Sequence, residues 1–354
     1  MLWAIVAILL TLLLVIGIHE VGHALAARLF KVKIKKISIG FGKPLLSWQS
    51  KSGCEWVWAF FPLGGYVQLQ NTRISPVPLE EYSGCFDKKP IWQRIVILLA
   101  GAVANLITAW MALILVFMIG FKYTLPQIHA VEPNSVAARS GIVAGDQFVT
   151  IAGKATVSWN DVGMQLVSLW GKKGVPVTVS RGVGKELKET SLDLSQIKFQ
   201  GFKTTLLTLL GIKPDLSAPK ETLRLALGDA IQHTNAVIMT TLYFFLMIFK
   251  QLFTGVIPFS MLLGPLSIFA VSVSSFTQGL AVFLFFIATL SLAVGLVNLI
   301  PIPGLDGGSM VYALIEKIRG KPVSVAMELL LHRLVFIIFC VVLVHLLMND
   351  LQRL

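Results

Sequence analysis

Residues 2–30 read LWAIVAILLTLLLVIGIHEVGHALAARLF, and the order of apolar and polar residues in this stretch decides the kind of fold. From Leu2 to Ile18 there is no charged side chain. With the turns that follow, the run reaches the roughly 20 residues a helix needs to cross a bilayer core. Its one polar cluster is HEVGH at positions 19–23. Residues four apart share a helix face, so His19 and His23 can reach a single metal ion, and Glu20 stands where it can take a proton from a metal-held water. A histidine pair and a glutamate at the end of an apolar helix are costly without partners inside a bundle. A helix end meeting water would explain one polar residue there, but not two histidines at metal spacing. The segment has no basic leader and no A-x-A-like cleavage site, so it reads as a retained first span rather than a signal peptide.

Composition agrees with a membrane class. The chain has 354 residues, 55% of them hydrophobic and only 14% charged, with a mean hydropathy of +0.79; a soluble domain of this length carries more charge. The net charge of +12 is not interleaved with any nucleic-acid-binding module, and lysines flanking spans account for it through the positive-inside rule. Cys54, Cys85 and Cys340 form neither a disulfide framework nor a CxxC pair and read as structural.

Working outward from the first span, KVKIKK at 31–36 is a basic stop that stays in the cytoplasm. Residues 37–69 alternate and carry turn glycines, predicting β-hairpins with a turn or bulge at Gly64 and Gly65. Trp56, Trp58, Phe60 and Phe61 suit protein or interfacial lipid better than water. A second span covers Ile91 to Ile119, where Ala100, Gly101, Ala104 and Ala109 form a small-residue stripe that lets another helix approach.

From about Tyr123 to Asp193 the composition changes to that of a soluble module. SVAARSGIVAGD at 135–146, a helix near Trp159 to Trp170 and two following strands give the order of a PDZ domain of the bacterial protease type. A polar connector, Ser195 to Leu225, leads to a doubtful apolar segment at 234–257 that either spans or lies at the interface. Gly264-Pro265 marks a break. Spans are expected from about Gly279 to Ile300 and from about His332 to Leu347. The loops 31–94 and 316–333 are basic and therefore cytoplasmic, so four spans place both termini and the PDZ domain outside.

The expected architecture is thus an α-helical polytopic membrane protein of about four transmembrane helices, with a membrane-associated β-hairpin region and one inserted α+β PDZ domain. Its parts are an N-terminal membrane core (1–120), the PDZ domain (121–195), a connector with an amphipathic or interfacial helix (196–278) and a C-terminal membrane core (279–354).

A catalytic zinc site takes three protein ligands and leaves the fourth position to water. His129 and His233 fall in the external region, and His332 and His345 in or beside the last span; each reads as structural. Asp306, in GLDGG at 304–308, is the better third ligand. It follows an apolar span that ends on the same side as His23, and Pro301, Pro303 and the glycines bend the backbone there. Broken backbone at membrane depth is tolerated where it lines a buried polar site. A plain turn aspartate remains the alternative for this segment taken alone.

Together HEVGH, SIGFG, FPLGGYV, GAVAN, the PDZ pattern, LGPLSI, NLIPIPGLDGG and NDLQRL resemble the site-2 protease family of intramembrane metalloproteases, in its RseP-like (regulator of sigma-E protease) branch. The resemblance implies one zinc per chain held by His19, His23 and Asp306, with Glu20 as base and proton shuttle. It implies that Asn298 contacts substrate or helps polarise its carbonyl, and that the hairpin Phe60–Leu69, with Gly64, Gly65 and Tyr66, offers an edge to an extended substrate strand. Asn105 would hold substrate or support the core; helix packing explains it equally well. The implied activity is regulated intramembrane proteolysis of single-span proteins already shortened outside, of the anti-sigma factor type, or of signal-peptide remnants, in a bacterial cytoplasmic (inner) membrane. The PDZ domain would lie on the extracytoplasmic side and the active site near the cytoplasmic one.

Three features depart from the family pattern. Only one PDZ copy is visible where some members carry two, Ala102-Val103 stand where A-G-P-x-x-N has its proline, and Ser309 replaces a common histidine. None removes a ligand. A PDZ-bearing scaffold without catalysis is the competing reading and predicts a damaged metal site; a transporter would leave HEVGH unexplained and shows no inverted repeat.

Overall fold

A computed structural model describes residues 2–50, 53–182, 184–195, 197, 206–259 and 262–353; within these, the side chains of residues 41, 61–63 and 353 are not described. The Phe61 side chain and most of the connector between 196 and 205 are therefore not described. Five helices are long and apolar enough to cross a membrane: α1 (Leu2–Leu29), α2 (Ile91–Ile119), α6 (Leu227–Phe253), α8 (Leu280–Asn298) and α10 (Val325–Arg353). The fifth beyond the four expected is α6, the doubtful segment. The last helix also runs longer than the span read at 332–347: the mostly apolar VAMELLL extends it at its start and the polar MNDLQR at its end. The backbone divides into two compact units, residues 1–116 with 268–344 and residues 117–267 with 345–354.

In the first unit, α1 contains a π turn at Leu13–Gly17, where the Ile18 amide bonds the Leu13 carbonyl five residues back. Such single wide turns cluster at functional sites, and this one directly precedes HEVGH. Val15 packs against Phe283 and Ile287 of α8, and Thr11 Oγ1 meets Ser272 Oγ at 2.8 Å on α7 (Pro265–Gln278).

β1 (Ile34–Gln49) and β2 (Glu55–Leu69) are each bent in the middle. Residues 34–39 pair on one side with 55–58 and on the other with 65–69, while 44–49 pair with 55–59. The hairpin is therefore a four-ribbon sheet in the order 44–49, 55–59, 34–39, 65–69. Gly40 and Gly42, at φ 92° and 93°, supply the bend of β1 in a conformation that side chains resist. One sheet face puts Ile37, Trp56 and Val67 against Ala24, Ala27 and Ile97 of α1 and α2. Leu45, Leu46 and Trp48 on the ribbon 44–49, with Phe60 beyond its partner ribbon, remain exposed.

α8 ends at Asn298, and α9 (Asp306–Arg319) begins after the Pro-Gly turn. A Cβ at Gly307 would run into the carbonyls of Leu299 and Ile300, and one at Gly308 into Ile302. Both glycines of LDGG are thus needed for α9 to start tight beneath the broken end of α8.

The second unit holds a four-stranded sheet ordered β6 (Lys154–Ala155), β5 (Gln147–Ile151), β7 (Val175–Arg181), β8 (Glu186–Leu192), packed on α4 (Trp159–Ser168). Ser158 and Asp161 form a complete capping box at the start of α4. Buried Asp146 pairs in bidentate fashion with Arg181, both contacts at 2.7 Å. The folded module extends past residue 195. Leu206, Leu210 and Ile212 join its core, β9 (Ile212–Pro214) pairs with β4 (Ile128–Val131), and β10 (Lys220–Leu223) pairs with β3 (Phe121–Thr124). The connector thus supplies strands that composition alone did not show. α6 is docked on the same module: Lys154 Nζ sits 4.6 Å from the centre of the Tyr243 ring, and Gln251 donates to the carbonyls of Val167 and Ser168. The LGPLSI and NDLQRL motifs also meet, since buried Asp350 accepts from the Gly264 amide at 3.0 Å and the Ser267 amide at 3.1 Å, capping α7.

Candidate metal centre

His19 and His23 leave α1 on one face, one turn apart, and Asp306 reaches them from the first residue of α9. Nε2 of His19, Nε2 of His23 and Oδ2 of Asp306 form a triangle whose three sides are each 3.2 Å. Zinc bonds of about 2.0–2.1 Å in tetrahedral geometry place neighbouring ligand atoms about 3.3–3.4 Å apart. The donor set fits the ion in element and in spacing, and among the described residues it is the only group of three or more His, Cys, Asp or Glu so arranged. The Asp306 carboxyl is raised by burial and lowered more strongly by its contacts with both imidazoles, which bring it to about 2. It is an anion at neutral pH, as a ligand must be.

Helix α2 lies behind the triangle and touches each histidine from one face. His23 Nδ1 meets the Ile97 carbonyl at 2.8 Å. The carbonyl can only accept, so the ring is protonated at Nδ1 and its Nε2 lone pair points at the triangle. Gly101 makes room for both rings: a Cβ there would stand 2.7 Å from Nε2 of His19 and closer still to Nε2 of His23. Asn105, fully buried, meets His19 Nδ1 at 3.4 Å. One turn from Ile97 toward the start of α2, Arg94 pairs with Glu316 of α9 at 2.9 Å, so the same face also grips the helix that carries Asp306.

A cavity of about 620 Å³ opens onto the triangle, lined by Ile16, Glu20, Gly64, Gly65, Tyr66 and Asn298 among others. Glu20 is half-buried, and the Val67 backbone amide faces its carboxylate. Residues 65–69 form the outer ribbon of the sheet, and their strand pairing among the described residues is with 34–39. Asn298 donates to the Val294 carbonyl of its own helix while lining the cavity.

The structure therefore brings His19, His23, Asp306, Glu20, Asn298, Gly64, Gly65 and Tyr66 to one place. Asn105 is the exception among the expected substrate contacts, because it lies behind His19 and not on the cavity wall. Sequence reasoning passed over Gly101 as a ligand-packing residue, counting it only in a helix-contact stripe. It also missed the Ile97 carbonyl and Arg94. The one available signal was G-x-x-x-N at 101–105, a glycine and an amide one turn apart in an otherwise apolar span.

Comparison with known proteins places this geometry. The family model for peptidase family M50 matches residues 7–343. The chain belongs to peptidase family M50. It is 27% identical over 440 aligned positions to a "Regulator of sigma E protease" of Haemophilus influenzae, covering 100% of this chain and 99% of that protein. Against the "Regulator of sigma-E protease RseP" of Escherichia coli K12 it is 28% identical over 448 positions, with the same coverage. A "Putative zinc metalloprotease" of Vibrio cholerae matches at 28% over 452 positions, again across 100% and 99%. These alignments are longer than the 354 residues of this chain, so the relatives carry residues that it lacks. As an M50 peptidase with five bilayer-length helices, the chain is a multi-pass membrane protease.

Proposed function

We propose that the chain is a zinc-dependent intramembrane endopeptidase in which His19, His23 and Asp306 hold the metal and Glu20 moves the proton. The observation that carries this reading is the 3.2 Å donor triangle beside a carboxylate in one cavity. Zinc bound there supplies Lewis acidity toward a peptide carbonyl and toward water. Glu20 accepts a proton from the attacking water and passes it to the departing amine. The outer ribbon 65–69 offers an extended substrate segment backbone partners along the cavity wall, which a helix must unwind to use. Asn298 faces that segment from the opposite side.

The 121–225 module, with the order of a PDZ domain, lies outside the membrane and screens substrates by the bulk or the new terminus of their external part. α6 does not cross. Its contacts with α4 and Lys154 hold it to the water-soluble module at two points. A single crossing would also put Asp306 on the side of the bilayer opposite His23, since α1, α2 and α8 then fail to alternate. Four spans follow, in a bacterial inner membrane. Its substrate is a single-span membrane protein of the anti-sigma factor type, cut after another protease has shortened it; that two relatives are named as regulators of sigma E is in keeping with such a target.

Cleavage of a truncated single-span reporter in cells, wild type against Glu20→Gln, tests this. Product from the wild type alone, with equal expression and zinc content, is expected. Equal product from both proteins would show that another enzyme makes the cut. A scaffold without catalysis would have no use for an empty-sided glycine packed against two histidines, but it would be favoured if no reporter were cut.

A further inference from the structure

Among the buried polar groups with an unpartnered side-chain atom, Asn105 is set apart by lying against His19. The residue is fully buried, its Nδ2 lies 3.4 Å from His19 Nδ1, and its Oδ1 has no hydrogen-bond partner. Idle buried acceptors are rare and call for an explanation. Gly295 of α8 seals the place, since a Cβ there would already lie 3.4 Å from the Asn105 Cβ.

The chemistry of His19 supplies the explanation. To bind a metal, His19 must present the Nε2 lone pair to the triangle, and a neutral imidazole then carries its proton on Nδ1. That N–H needs an acceptor. With no metal, the other tautomer is satisfied instead: Nε2–H donates to Asp306 Oδ2 at 3.2 Å, and the Asn105 NH2 donates to Nδ1. The two ends of an amide have nearly the same shape and exchange by half a turn.

We infer that Asn105 is a positioning residue for the metal centre, its Oδ1 accepting the Nδ1 proton of His19 in the metal-ready state, and not a substrate contact. His23 has a fixed acceptor for the same purpose in the Ile97 carbonyl; His19 has a swivelling one. The amide serves both tautomers, which neither a carboxylate nor a carbonyl does. This inference rests on the zinc reading above.

The test is zinc affinity of the full-length protein in detergent, measured by competition with a chromophoric chelator for wild type, Asn105→Asp and Asn105→Leu. An acceptor role predicts a 10–100-fold loss for Leu, the range typical of partners that orient metal-bound histidines, and affinity within about threefold of wild type for Asp. A packing role predicts the reverse order, because leucine matches the volume while a buried aspartate adds an unpaired charge. That reverse order, or no difference between the two variants, overturns the inference. Nitrogen-15 spectra of histidine in the zinc-loaded proteins give a second reading: a His19 Nδ1–H resonance that Asn105→Leu shifts and Asn105→Asp holds supports the role, and one that Asn105→Leu leaves unmoved refutes it. A wild type that holds no zinc would sink the metal reading itself, an outcome distinct from zinc held equally by all three proteins.

Discussion

Replacing Gly101 by alanine sets two effects of opposite sign against each other. In a helix interior alanine is favoured over glycine by about 0.8–1.0 kcal/mol, so a residue that merely packs helices should tolerate or welcome the change. Here the new methyl would sit 2.7 Å from Nε2 and Cε1 of His19 and nearer still to His23. Ordinary carbon contacts begin near 3.5 Å, so the His19 ring must retreat by about 0.8 Å and the His23 ring by more, or α2 must move away. Overpacking of that kind costs about 1–3 kcal/mol, enough to cancel the propensity gain and exceed it. The metal suffers more, because ligand distances tolerate only about ±0.2 Å. Gly101→Ala should therefore lower zinc affinity by at least about 10–100-fold, the loss seen when merely the partners of ligands are removed. Thermal stability of the zinc-free protein should fall by only a few degrees. Chelator competition and thermal unfolding with and without zinc separate the two quantities. Affinity within threefold of wild type, or a stabilised variant, would refute the claim that this glycine makes room for the ligands.

Arg94→Gln leaves Glu316 facing an uncharged partner at a largely buried contact, 7% and 22% exposed on the two side chains. It should destabilise by about 2–4 kcal/mol, and the Arg94→Glu, Glu316→Arg exchange should recover part of that in a denaturation series. In the other unit, Asp146→Asn removes the charge that Arg181 grips while Asp146 is completely buried. A loss of about 3 kcal/mol is expected, read as faster limited proteolysis of the 121–225 module with zinc content unchanged. Asp87 lies outside the spans, and its carboxyl is raised by burial but lowered overall by the Thr72 amide and hydroxyl. A depressed carboxyl stabilises the fold fully above its unfolded value, near 3.9, and the contribution is lost as pH falls through the folded value. Thr72→Val should thus weaken the protein at neutral pH and leave the most acidic conditions unaffected, as an acid titration of unfolding would show.

Much of this was legible in the order of residues because the signals are local. The limits of α2 follow from a long, mostly apolar run between Pro90 and Gly120, and HEVGH announces its own spacing. Asp306 could be picked out because glycines and prolines crowd around it. Other features depend on contacts that no local pattern carries. Ile212–Pro214 completes the module only by pairing with residues more than eighty positions earlier, so its composition resembles that of any connector. Gly101 looks like one small residue among several until the histidines are seen against it. Asn105 reads equally as a substrate contact or as core and helix packing, because nothing in the chain around it shows that its amide lies against His19. The π turn left no trace, since leucine, valine and isoleucine fill a wide turn as readily as a regular one.

That wide turn makes the direction in which the site faces a matter of counting rather than chemistry. A π turn holds one residue more than the helix on either side, and each helical residue turns the chain by about 100° and advances it about 1.5 Å. Removing any single leucine from 13–17 would let the helix close up regularly while every side chain of HEVGH stayed intact. The histidines would then swing about 100° out of phase with Gly101 and Asp306. Such a chain would keep its length of apolar helix, its motif and its hydropathy profile, and would have lost the proposed metal centre through arithmetic alone.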